Sequence, residues 1–112
     1  MLPNPLSEPL ADLIAKRFRL LAEPTRIRLL DRLRAGETSV QDLTEALGTS
    51  QQNVSKHLAV LAEAGIVGRR KSGNHALYRI ADESVFDLCE QVCGSIARQV
   101  ADLEAIVSGS AR

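Results

Sequence analysis

Residues 38–80, TSVQDLTEALGTSQQNVSKHLAVLAEAGIVGRRKSGNHALYRI, constrain the fold more than any other stretch, because two structural periods follow one another in a set order. The spacing predicts helix, tight turn, helix, then a basic two-stranded hairpin. Thr38 or Ser39 opens the first helix, with Gln41 or Asp42 three residues on, as in a capping box. Val40, Leu43 and Leu47 form its apolar side. Gly48-Thr49-Ser50 interrupts the pattern, and Ser50 is placed to accept a hydrogen bond from an orphan N–H of the next helix. There Val54, Leu58 and Leu61 recur at the three-to-four spacing of a buried stripe. Gln51, Gln52, Ser55 and Lys56 fall off that stripe, near the leading end. Such a helix suits the DNA major groove, where amides and hydroxyls read base edges and a lysine reaches a base or a phosphate.

The hairpin completes a winged helix-turn-helix. Gly65 stops the helix, since glycine takes the left-handed conformation without steric cost. Arg69-Arg70-Lys71 and the run Ala76 to Ile80 then flank Ser72-Gly73-Asn74-His75, and a Gly-Asn pair between β-prone runs signals a hairpin. A run of cations on a hairpin can also be a solvated edge that blocks sheet aggregation. Its position beside the recognition helix favours phosphate contact, with Thr49, Ser50, Arg69, Arg70, Lys71, Asn74 and His75 as the candidate anchors.

Two segments carry a family resemblance. LLAEPTRIRLLDRL at residues 20–33 and SQQNVSKHLAVLAEAGIV at residues 50–67 resemble the signature helix and the recognition helix of the ArsR-type (ArsR/SmtB) bacterial winged-helix repressors. With the wing, the similarity spans most of residues 20–80 in the family's order. It implies a small homodimeric repressor that binds a double-stranded operator and is released by a bound or reacting effector. Arg26 falls on the signature arginine, which the resemblance makes a structural ion-pair partner rather than a base reader.

Net charge is zero, which would disfavour a nucleic-acid partner if the charges were evenly spread. They are not. Residues 51–80 hold five basic groups (Lys56, Arg69, Arg70, Lys71, Arg79) against one acidic, Glu63, whereas residues 81–112 hold two basic against six acidic. The cations gather on the recognition helix and wing, the footprint expected for phosphate contact. The 112 residues suit a single domain, mainly α with a small β-hairpin. Within it the recognition helix spans about 51–64, the wing about 67–80 and two dimerisation helices about 7–22 and 84–107. No apolar run approaches the roughly 20 residues of a membrane span, and the N-terminus lacks a signal peptide's basic and apolar regions. The expectation is a cytoplasmic protein, in which a structural disulfide is disfavoured.

Ser7 or Asn4 can open the first helix, with Leu10, Leu13, Ile14, Phe18 and Leu21 on its apolar side. Glu23 caps a second at Pro24, with Ile27, Leu30 and Leu33 inward. In the last helix, which Asp82 can cap, Phe86, Cys89, Cys93, Ile96, Val100, Leu103 and Val107 step by three and four. That is an a/d seam of a helix that pairs lengthwise with another. The resemblance implies dimerisation through the first and last helices, with Phe86, Cys93, Ile96, Val100 and Leu103 at the interface.

Cys89 and Cys93, the chain's two cysteines, lie one turn apart on that seam. Two thiolates so placed can chelate one soft ion or be oxidised together. Free cysteine also packs as a small hydrophobe, so a thiol effector site and plain core packing both remain open. The family's arsenic-type site needs a Cys-x-Cys pair in the helix before the recognition helix, and that helix has none here. Its zinc-type site needs Asp and His, then His and Glu, on the last helix. Asp82 matches the first ligand, but Ser84, Ser95 and Arg98 stand at the others. Both familiar metal sites are absent from the sequence. No cofactor is required, and a soft metal or metalloid ion at the two thiols is the one candidate. Nor is an enzyme expected: His57 and His75 sit on the recognition helix and wing, with no nucleophile or metal-ligand spacing joining them. A winged helix used for protein contact would put acidic or apolar residues where Gln51, Gln52, Ser55 and Lys56 stand.

Overall fold

A side-chain acceptor starts each of the first four helices, which is why their N-termini coincide with sparse polar residues in otherwise periodic sequence. In the computed structural model, which describes residues 1–109, α1 (Glu8–Leu21) begins where the Ser7 hydroxyl accepts from Leu10 N–H at 3.2 Å. α2 (Pro24–Leu33) begins at Glu23, which takes Thr25 N–H at 3.1 Å. α3 (Val40–Leu47) and α4 (Gln51–Glu63) begin at Ser39 and Ser50, which take Asp42 and Asn53 N–H, both at 3.1 Å. Thr38 does not cap α3. Its hydroxyl donates to the Gly36 carbonyl at 2.8 Å, and its backbone enters a strand.

That strand corrects the two-stranded expectation. β1 (Thr38–Ser39) joins β2 (Val67–Ser72) and β3 (His75–Ile80) in an antiparallel sheet of order β1-β3-β2. Two residues are too few to show a period of two, so only the pairing Thr38↔Tyr78 and Ser39↔Leu77 reveals them. The wing pairs from Val67↔Ile80 to Ser72↔His75, leaving Gly73-Asn74 as a two-residue turn. Gly73 has φ +59° while Asn74 stays at negative φ. This is the glycine-first pattern of a type II′ turn, whose twist matches that of the strands.

The chain divides into two compact units, Met1–Ala81 and a segment that starts at Asp82. The core of the first is made by Leu29, Leu30, Leu33, Leu43, Val54, Leu58, Leu61 and Ile66, each at most 2% exposed. Expectation and structure differ in α2: Leu29 is buried and Ile27, expected inward, is 44% exposed. On a ten-residue helix the two choices differ by little rotation, and the neighbouring helices decide. In α1, Leu21 is buried, while Leu13 and Phe18 lie exposed on the same helix. Both belong to the stripe expected inward.

The second unit is the helix α5 (Ser84–Ser108), 25 residues and on the order of 37 Å long. Glu83, not Asp82, holds the cap position and makes no side-chain cap bond, while Asp82, one residue earlier, accepts the Ser84 N–H at 3.0 Å and its hydroxyl at 2.6 Å. Val85 is buried, but Val92, Ile96, Val100, Leu103, Ile106 and Val107 are all exposed. No helix of the described residues is long and apolar enough to cross a membrane.

Candidate nucleic-acid interface

The buried stripe of α4 (Val54, His57, Leu58 and Leu61) determines what the opposite face can offer. Gln51, Gln52 and Lys56 are exposed there and Ser55 is half-buried. The turn before the helix is locked from inside, because Asn53 Nδ2 donates to Thr49 Oγ1 at 3.2 Å. Thr49 thereby serves the turn, while Ser50 is exposed and spends one lone pair on Asn53 N–H. Asn53 was not singled out from sequence, although its position in the first helical turn is typical of such a lock.

In the wing, Arg69, Arg70, Lys71, Asn74 and His75 are all exposed. Directly paired residues of an antiparallel ladder share a face. Arg69 with Tyr78 and Lys71 with Ala76 therefore lie on one side, and Arg70 with Leu77 and Gly68 with Arg79 on the other. Arg70 is engaged. Its Nε donates to both Glu37 carboxylate oxygens at 3.0 and 2.8 Å, and its Nη2 donates to Oε1 at 2.7 Å. The Arg70 hydrogen bond, aided by the charges of Arg70 and Arg79 against a partial loss of solvent, holds the Glu37 carboxyl below its ordinary range. Nothing in the sequence marked Glu37. It stands 33 positions from its partner, and only the fold brings the two together.

A second junction lies beneath the recognition helix. His57 is 6% exposed, and its Nδ1 accepts from Arg26 Nε at 3.1 Å, while Arg26 Nη1 donates to the Leu20 carbonyl at 3.2 Å. The signature arginine is therefore bound to a ring nitrogen and a carbonyl rather than held in the expected ion pair. Burial lowers the His57 pKa, and the Arg26 and Lys56 charges lower it further, against an opposing pull from Glu23. Because Nδ1 is the acceptor, the ring is neutral with its proton on Nε2. His57 is thus a link between α2 and α4 rather than a phosphate donor.

On α5, Cys89 is half-buried and Cys93 exposed, both as free thiols one turn apart. Among the described residues no three or more His, Cys, Asp or Glu side chains are placed to hold a metal ion. The described residues of one subunit therefore offer a soft ion two sulfurs and no third ligand of these types.

Comparison with known proteins places this architecture. Residues 21–70 match a family described as a helix-turn-helix domain. The chain is 37% identical over 102 residues to an uncharacterised HTH-type transcriptional regulator of Mycobacterium tuberculosis, a match covering 90% of each chain. Among solved structures it is similar to the antimony-specific transcriptional repressor AntR, with a TM-score of 0.74 and 34% identity, covering 85% of this chain and 86% of that one. It is also similar to a homodimeric winged helix-turn-helix DNA-binding domain of Mycobacterium bovis, a possible ArsR-family regulator. There the TM-score is 0.71 and the identity 30%, with 86% of this chain and 92% of that one covered.

Proposed function

The chain belongs to the ArsR-type family and is a DNA-binding transcriptional repressor rather than an enzyme, and we propose that its dimer reads an operator through α4 and grips phosphates through the wing. The observation that carries this reading is the face of α4 opposite Val54, Leu58 and Leu61, which presents Gln51, Gln52, Ser55 and Lys56 at the helix N-terminus. Side-chain amides there can form paired hydrogen bonds with adenine, and Lys56 can reach guanine or a phosphate. Ser50 and Thr49 lie at the phosphate edge of the turn, with Arg69, Lys71, Asn74 and His75 as wing anchors. Arg70 is an anchor whose charge is shared with Glu37.

A dimer of such units binds a pseudo-palindromic site whose half-sites are about one helical turn apart, or a small multiple of it. The exposed α5 side chains Ile96, Val100 and Leu103, together with Cys93 and Phe86, are the proposed dimer contacts. A regulator of bacterial genes of this kind works in the cytoplasm, where Cys89 and Cys93 remain reduced until an effector reaches them. We assign these two thiols as the effector site. The similarity to an antimony-specific repressor supports a soft, thiophilic effector, and two thiolates one turn apart suit such an ion.

The test separates readers from anchors. Gln52→Ala should cost about 1–3 kcal/mol at one or two operator positions and leave random DNA unaffected. Lys71→Ala should weaken all sequences alike and flatten the dependence of log K on log salt by about two, one for each subunit of the dimer. Measured by fluorescence anisotropy across a panel of duplexes, identical effects of the two substitutions on every sequence would refute the assignment.

A further inference from the structure

We propose that Glu37 sets the affinity of this protein for DNA by clasping Arg70, so that one wing cation is neutralised before DNA arrives. The inference rests on the wing reading above and adds a residue to it. Both carboxylate oxygens are committed to Arg70, which answers with Nε and Nη2 at 2.7–3.0 Å. Such forked pairs are short, directional and stronger than a point contact. The Glu37 side chain is 28% exposed and the Arg70 side chain 54%, so the acid is the better sheltered partner and holds the arginine toward the base of the wing.

A second cation shares the same face. Arg79 pairs with Gly68, and its guanidinium lies over that glycine so closely that an added Cβ would meet its atoms at 2.7–2.9 Å. Glu37 also feels the Arg79 charge. One carboxylate therefore offsets the positive face formed by Arg70 and Arg79, whereas Arg69 and Lys71 project from the other face of the strand. Affinity for the DNA backbone depends on how many counterions the protein's cations release. An arginine already balanced by a carboxylate contributes less to that release than a free one. The clasp thus lowers non-specific affinity while leaving base reading by α4 unchanged, which favours discrimination over tight binding.

The opposite role is also physically coherent, since a clasp could instead aim Arg70 at a phosphate. Glu37→Gln distinguishes the two, because glutamine keeps the size and one acceptor oxygen but removes the charge. The full-length protein would be titrated with a labelled duplex of random sequence over a range of salt concentrations. E37Q should bind more tightly than the parent at low salt, with a salt slope steeper by about two, one for each wing of the dimer. Between about 50 and about 200 mM salt it should then lose about tenfold more affinity than the parent does. In an Arg70→Ala background the same substitution should give less than half of that gain. Weaker or unchanged binding by E37Q would overturn the proposal, as would an equal gain in the Arg70→Ala background. Arg69→Ala and Lys71→Ala report separately on the wing. If neither flattens the slope, the wing does not touch phosphate and both readings fall. If they flatten it while E37Q does not steepen it, the wing reading stands and the clasp alone is refuted.

Discussion

His57 shows how a single residue can bind a DNA-reading helix to the rest of the fold. The proton that most imidazoles would gain in mild acid has no place here, because Nδ1 already accepts from Arg26 and a charged ring would face that guanidinium. Its folded pKa therefore lies below the ordinary 6.5, with burial as the largest cause. When a folded pKa is depressed in this way, the unfolded chain binds the proton first. The associated stability is complete above pH 6.5 and is lost as the pH falls from there through the folded value. Urea unfolding midpoints should accordingly drop between about pH 7 and pH 5.5 in the parent, and a His57→Gln variant should show much less of that drop. A parent midpoint that stays level across this range would show that His57 does not carry the acid sensitivity.

At the scale of one element, α5 carries both the unpartnered apolar face and the two thiols. Residues four apart on a helix have neighbouring side chains on one face, with Cβ atoms about 5–6 Å apart, wider than the roughly 3.5–4.5 Å across a disulfide, so joining the two sulfurs must distort the turn that carries them. A soft cation would displace the two thiol protons. A peroxide would instead take two electrons and two protons, joining the sulfurs as it is reduced. Either event stiffens or bends one turn of α5. To lower operator affinity about a hundredfold, it must favour the released state by roughly 2.7 kcal/mol, within the usual range of coupling. The Cys89→Ser, Cys93→Ser double variant should bind DNA as the parent does, yet no longer be released by peroxide, persulfide, cadmium or arsenite. A parent that ignores all four agents, or a double variant that still responds, would reduce the cysteines to packing residues.

For the molecule as a whole, the exposed run Val92, Ile96, Val100, Leu103, Ile106 and Val107 is too large an apolar surface to be left to water. A second copy covers it in the proposed assembly, and a charge placed there would be buried without a partner at a cost of several kcal/mol. Ile96→Asp should therefore shift the protein to monomer in sedimentation at micromolar concentration and weaken operator binding, because two linked half-site contacts become two separate ones. A variant that sediments as a dimer would place the interface elsewhere.

The sequence by itself determined the helices, the short stretches from which the caps of the first four are drawn, and the wing, because those features depend on neighbours a few residues apart. Ser7, Glu23, Ser39 and Ser50 satisfy backbone N–H groups two or three positions downstream, and Gly73 meets a local need for positive φ. The face of α4 was legible for the same reason: burying Val54, Leu58 and Leu61 leaves Gln51, Gln52 and Lys56 outside. Tertiary structure alone decided the rest. The two-residue strand Thr38–Ser39, the choice of Leu29 over Ile27, the Arg26–His57 link and the Glu37–Arg70 clasp each join or choose between residues according to partners distant in the chain. A periodic pattern carries no record of such partners, because a charged or polar side chain reads as solvated until the fold sets its counterpart beside it.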